Sequence, residues 1–138
     1  MSLWVILLLA FIIFDLVVVV IVFIKRARGG KFSEHDLKYM KERWVEVEMA
    51  FRQDDFQDAV IDADKILDYA LTKKGFLGNM GEKLQAAYYL FSDLNGVWSA
   101  HKLRNRMAHE LVDEMDERQV KDALRKFKQA LFDLGVKI

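Results

Sequence analysis

LWVILLLAFIIFDLVVVVIVFIKRARGG, residues 3–30, decides how the rest of the chain is read. Leu3 to Ile24 is a run of 22 residues whose only charge is Asp15. At about 1.5 Å rise per residue, a helix of that length crosses the roughly 30 Å hydrocarbon layer of a bilayer. The stretch from Val17 to Ile24 has high strand propensity, but a lone strand leaves its backbone groups unpaired in lipid, so the segment predicts a helix. A cleaved signal peptide is the rival. It would want a positive start, an apolar core of about 7–15 residues and a small-residue cleavage site. The opening MSLW carries no charged side chain and the apolar run is longer, so an uncleaved anchor is expected.

Lys25, Arg26, Arg28 and Lys31 cluster on the C-terminal side of the run. The positive-inside rule then predicts a single-pass protein of the cell (inner) membrane, N-terminus outside and remaining chain in the cytoplasm. Trp4 is placed for the outer interface. Asp15 falls near mid-membrane, where a carboxylate costs about 2.5–3.5 kcal/mol; the 19 Leu, Ile, Val and Phe around it outweigh that. Asp15 has two readings: a polar contact with a partner helix, its own copy or a larger membrane assembly, or a tolerated, protonated or snorkelling carboxylate.

Beyond the anchor, residues 25–32 read as a basic juxtamembrane linker and 33–138 as a folded domain. With no cysteine, a disulfide framework and a thiolate metal site are excluded. No metal or cofactor is expected. Of the 21 basic residues, four lie in the linker, leaving 17; of the 21 acidic residues, all but Asp15 lie beyond it, leaving 20. A slightly acidic domain is poorly suited to long-range capture of nucleic acid, which depends on phosphate neutralisation.

Gly29-Gly30 breaks the chain, and amphipathic helices follow. The first begins after Ser33, a candidate N-cap with Glu34 and Asp36 in the first turn, and carries Leu37, Met40, Trp44, Val47 and Phe51 at steps of three and four. The second runs from Asp54 or Asp55, through Phe56, Val60, Ala63, Leu67 and Ala70, to Lys73-Lys74-Gly75, a C-terminal signature. A loop, GFLGNMG at 75–81, precedes a third helix over Glu82–Leu94 with Leu84, Ala87, Tyr88 and Phe91. Asn95-Gly96 is expected to break it before a fourth at Val97–His109. After an acidic connection, Asp113 to Glu117, the last helix carries Val120, Leu124, Phe127, Leu131 and Leu134. No window alternates with period two. The fold class is therefore all-α: one transmembrane helix plus a bundle of four or five antiparallel helices with the aromatic residues in its core.

The glycines of the 75–81 loop follow no strand, so a phosphate cradle is not expected there. His35 opens the first helix and is expected to be exposed. The segment WSAHKLRNRMAHE, residues 98–110, concentrates His101, Arg104, Asn105, Arg106 and His109 within about three turns. On a helix Asn105 and His109 share a face, with His101 on the same side and Arg104 flanking it. A guanidinium beside an imidazole suits a phosphate: arginine clamps the anion and histidine exchanges protons near neutral pH. The plainer reading has these side chains interacting with the helix dipole and with Glu110 and Asp113.

Arg104-Asn105 followed by Arg106, Met107, Ala108 and His109, near the end of a later bundle helix, resembles the hallmark of the HEPN superfamily (higher eukaryotes and prokaryotes nucleotide-binding): arginine, a polar residue, then histidine. AVIDADKILDYAL, Ala59 to Leu71, is similar to the second helix of bacterial HEPN-like proteins. The resemblance covers 33–138. It implies a homodimer that juxtaposes two such motifs and cleaves RNA without a metal. His109 would act as general base or acid, Arg104 would stabilise the phosphorane, Asn105 would orient the phosphate, and the product would be a 2′,3′-cyclic phosphate. His101 and Arg106 are secondary candidates, His101 leaning to packing. On an ideal helix residues five apart diverge by about 140°, so Arg104 and His109 converge only if the helix bends or ends near Met107. HEPN domains also serve without catalysis, so the alternative is a membrane-tethered adaptor that binds another protein.

Overall fold

Apolar residues recurring every three or four positions, with no proline to interrupt them, give helices throughout. The computed structural model describes residues 1–28, 30–109 and 115–138, of 25–28 the backbone alone, and contains no strand among these. The chain is all-α and divides into two compact units, Met1–Lys31 and Phe32–Ile138.

The first unit is helix α1 (Leu3–Arg28), started by the Ser2 carbonyl accepting the Val5 N–H at 3.0 Å. Its stretch Leu3–Ile24 is long and apolar enough to cross a membrane, and none of it is buried. Asp15 stands exposed on this helix with no ionic partner among the described residues. Gly29, the first half of the expected break, lies outside the described residues.

The second unit holds α2 (Glu34–Arg52), α3 (Phe56–Lys73), α4 (Met80–Ala86), α5 (Leu94–His109) and α6 (Glu117–Asp133). Ser33 and Asp36 form a capping box: the Ser33 Oγ accepts the Asp36 N–H at 3.0 Å and the Asp36 carboxylate accepts the Ser33 N–H at 3.3 Å. α3 is the central helix, with α2, α5 and α6 packed around it and α4 at its end. Its buried face carries Ala59, Val60, Ala63, Ile66, Leu67, Ala70 and Leu71, and the alanines let neighbouring backbones approach. Both α3 and α6 stop in Schellman turns. Gly75 (φ +95°) and Gly135 (φ +96°) adopt the left-handed conformation, and Phe76 and Val136 donate back to the Leu71 and Leu131 carbonyls. Phe76 and Val136 then fold into the core.

The expected unbroken helix over Glu82–Leu94 is not found. α4 spans only Met80–Ala86, followed by a 3-10 turn at Tyr88–Leu90 and an extended Phe91. Asn95-Gly96 does not break a helix but lies in the first turn of α5, where N–H groups have no intrahelical partner. Asp93 starts that turn: its side chain accepts the Gly96 N–H at 2.9 Å and its carbonyl the Val97 N–H at 3.1 Å. A Cβ at Gly96 would stand 2.2 Å from the Asp93 carboxylate, so glycine fits the cap rather than a break. The 3-10 turn also rotates Tyr88 outward, and Tyr88 and Tyr89 are exposed instead of joining the core.

One polar tie joins the start of α2 to the end of α3. The Tyr69 hydroxyl donates to Asp36 at 2.7 Å, and Lys73 Nζ stands 3.6 Å from the same carboxylate. The hydrogen bond from Tyr69 holds the Asp36 carboxyl below the usual carboxylate range, and the same bond pushes the Tyr69 phenol up from 10.0 to about 12. A raised phenol stabilises the folded state below its unfolded pKa and loses that contribution as pH rises through the folded value. Between pH 10 and about 12 the wild type is therefore expected to lose melting temperature faster than Tyr69→Phe, measured by circular dichroism. Parallel curves for the two proteins would remove this tie from the account.

Candidate functional site

α3 contributes one acid to an otherwise apolar face, Asp64, between Ala63 and the buried Leu67. Across from it α5 presents His101, Arg104 and Asn105 on adjoining turns. The His101 Nδ1 lies 2.8 Å from Asp64 Oδ1, and Arg104 Nε lies 3.5 Å from Asp64 Oδ2, an ionic contact longer than a good hydrogen bond. The Asn105 Nδ2 stands 3.3 Å from His101 Nε2, and Arg104 Nη1 donates to Asn105 Oδ1 at 3.2 Å. The four side chains close a ring: Asp64 to His101, His101 to Asn105, Asn105 to Arg104, Arg104 to Asp64.

Hydrogen-bonding chemistry fixes the proton positions that suit this ring. An ionised Asp64 only accepts, so His101 carries its proton on Nδ1, and Nε2 accepts from the Asn105 amide. The side chains of Asp64 and His101 are 5% and 10% exposed, while that of Arg104 is 27% exposed. Trp98 meets the His101 ring edge-on with centroids 6.1 Å apart. The ring opens onto a cleft of about 500 Å³ also lined by Gly78, Asn79 and the first two residues of α4, and by Lys65 and Asp68. Gly78 sits at φ +99°, a conformation that strains any other residue, and a Cβ there would push the Glu82 carboxylate aside.

The expected catalytic residues separate into two places. Arg104 and Asn105 stand together, with His101, at the cleft. His109 does not join them. α5 runs without interruption to His109, which is exposed, so within one chain the imidazole is turned about 140° from Arg104 and set about 7.5 Å along the axis. The last turn of α5 is tied to α3 by Gln57, whose side-chain amide donates to the Met107 carbonyl at 2.9 Å. Arg106 faces another way again, into a shallow furrow between α5 and α6 beside Asp122 and Lys126. Glu110 and Asp113, the expected acidic neighbours, lie outside the described residues. His35 is exposed at the start of α2.

Sequence reasoning missed Asp64, whose signal was a lone carboxylate at core spacing within Val60, Ala63 and Leu67. It also missed Lys83, 6% exposed on α4, whose ammonium reaches Asp68 Oδ1 and Thr72 Oγ1, both at 2.7 Å. Among the described residues no group of three His, Asp or Glu side chains is placed to hold a metal ion. No family model, curated protein or solved structure matches this chain.

Proposed function

We propose that this protein is a membrane-tethered, HEPN-like binding module that does not cleave RNA. α1 lies in the inner membrane with its N-terminus outside, and the bundle engages a protein partner in the cytoplasm. The apolar, fully exposed stretch Leu3–Ile24 and the basic residues that follow it support the tether and its orientation. The observation that carries the non-catalytic reading is the closed ring at Asp64. A buried carboxylate facing the guanidinium offsets its charge, and a neighbouring amide takes one of its N–H groups, which together weaken its pull on a phosphate.

A second reading is a homodimeric, metal-independent endoribonuclease. It is favoured by the partial exposure of Arg104 and Asn105 at an open cleft and by an exposed His109 that a second copy could approach. In that dimer His109 moves the proton, Arg104 neutralises the phosphorane and Asn105 orients the phosphate.

The two readings part on one experiment. The full chain in nanodiscs is incubated with end-labelled RNA and EDTA, beside Arg104→Ala and His109→Ala. The binding module leaves the RNA intact in all three. Cleavage by the wild type that disappears in both variants establishes the ribonuclease and ends the module reading.

A further inference from the structure

α2 and α6 both pack on α3 but scarcely touch each other, and between them runs a groove of about 630 Å³. Trp44 and Phe51 of α2 and Leu124 of α6 supply its apolar lining. Trp44 and Phe51 are seven residues apart, two turns of helix, so they present their rings in one row along the groove. Trp44 is 4% exposed and its indole N–H has no hydrogen-bond acceptor, so the wall carries one unmet donor.

The α6 wall is strongly basic. Arg118, Lys121, Arg125 and Lys128 follow one another at steps of three, four and three, which sets them in one stripe about 15 Å long. Asp122 engages Arg125 at 2.7 Å and Lys126 at 2.7 Å. Arg118, Lys121 and Lys128, with Arg52 on the facing helix, have no acidic partner among the described residues, and Glu48 is the one acid left to offset them. Three cations in line on α6 and a fourth across from them on α2, all without an acidic partner among the described residues, are out of keeping with a domain that is slightly acidic as a whole.

We infer that this groove is a docking site for an acidic amphipathic helix of a partner protein. Its apolar edge would lie on the half-buried Phe51 and Leu124, with the buried Trp44 beneath them, and its carboxylates, spaced by three and four, would face the α6 stripe. The furrow shape selects this occupant. A bilayer surface needs apolar groups that protrude, whereas here they line a concavity. RNA stacks its bases on exposed aromatic faces, and Trp44 is buried. Complementary charge sets the register and speeds encounter, while the apolar contact supplies affinity.

The inference rests on the binding-module reading and is tested on the full chain in nanodiscs of zwitterionic lipid. The probe is a labelled helical peptide of about 18 residues with leucines along one edge and glutamates flanking them, beside a counterpart with lysine at each glutamate. The acidic peptide is expected to bind saturably and more weakly as salt rises, and the lysine peptide not to bind. The double charge reversal Arg118→Glu/Lys121→Glu, both exposed, is expected to weaken binding at least about tenfold while leaving the melting temperature within a few degrees of wild type. Equal binding of both peptides, no saturable binding, or an affinity unmoved by the reversal overturns the inference. So does binding to anionic vesicles or an RNA oligomer that the acidic peptide cannot displace. The two proposals fail separately: RNA cleavage alongside intact peptide binding ends the module reading alone, and absent peptide binding with intact RNA ends the groove alone.

Discussion

Asp64→Ala is expected to destabilise the bundle by about 3 kcal/mol or more, a shift in melting temperature on the order of 15 °C. The side chain of Asp64 is 5% exposed and faces both His101 and Arg104. Removing it takes the His101 Nδ1 acceptor away and withdraws the only carboxylate among the described residues that faces Arg104, whose buried Nε has no hydrogen-bond acceptor even with Asp64 in place. An orphaned buried donor costs about 1–3 kcal/mol, and a stranded charge more. Asp64→Asn separates these contributions. It keeps an acceptor for His101 but withdraws the charge from Arg104, so its loss should fall between wild type and alanine. Chemical unfolding of the full chain in detergent measures both. A loss below about 0.5 kcal/mol for the alanine variant, the range of ordinary surface changes, would refute the ring as a structural unit.

The second large effect is expected at Phe127→Ala, at about 3–5 kcal/mol. Phe127 is fully buried among the packed helices and is the largest such side chain in the bundle. Its deletion removes apolar contact and leaves a cavity that the surrounding backbone only partly collapses. Since whole domains are stable by about 5–15 kcal/mol, this one change brings the bundle close to its unfolding threshold. Phe132, five residues later on the same helix, is 57% exposed, and Phe132→Ala should change stability by less than about 0.5 kcal/mol. Thermal denaturation of the pair checks the contrast. Equal losses would mean that the buried face of α6 has been assigned wrongly.

How far these features could be read in advance depended on whether their cause was local. Ser33 with Asp36, and Gly75 beyond its helix, act within four or five residues, so the start of α2 and the end of α3 were visible in the letters. The core faces of α2, α3 and α6 were visible as well, because a single period of 3.6 governs each. The break between α4 and α5 was not. Asn95-Gly96 looks like a stop, and only the Asp93 side chain reaching forward makes it a start. Asp133, forty-one residues from Ser92, fixes the preceding loop by accepting its N–H and hydroxyl, both at 2.8 Å.

The site divided along the same line. That His101, Arg104 and Asn105 stand near one another followed from helical spacing. That they close around Asp64 depended on a contact 37 residues away in sequence, which no local pattern encodes. Asp64 itself read as one more charge in a helix. Its burial is what changes the meaning of Arg104, from a free anion clamp to half of an internal pair. The tie from Gln57 to the Met107 carbonyl spans 50 residues and is likewise absent from any local pattern.

The claim on which the account turns is that Arg104 is committed to Asp64. A double-mutant cycle with Asp64→Ala, Arg104→Ala and the double variant measures that commitment by chemical unfolding. We expect the two single losses to exceed the double-variant loss in sum, with a coupling energy of about 1–3 kcal/mol. Losses that add to within about 0.5 kcal/mol, with Arg104→Ala as stable as the wild type, would contradict it and leave the guanidinium free for a phosphate.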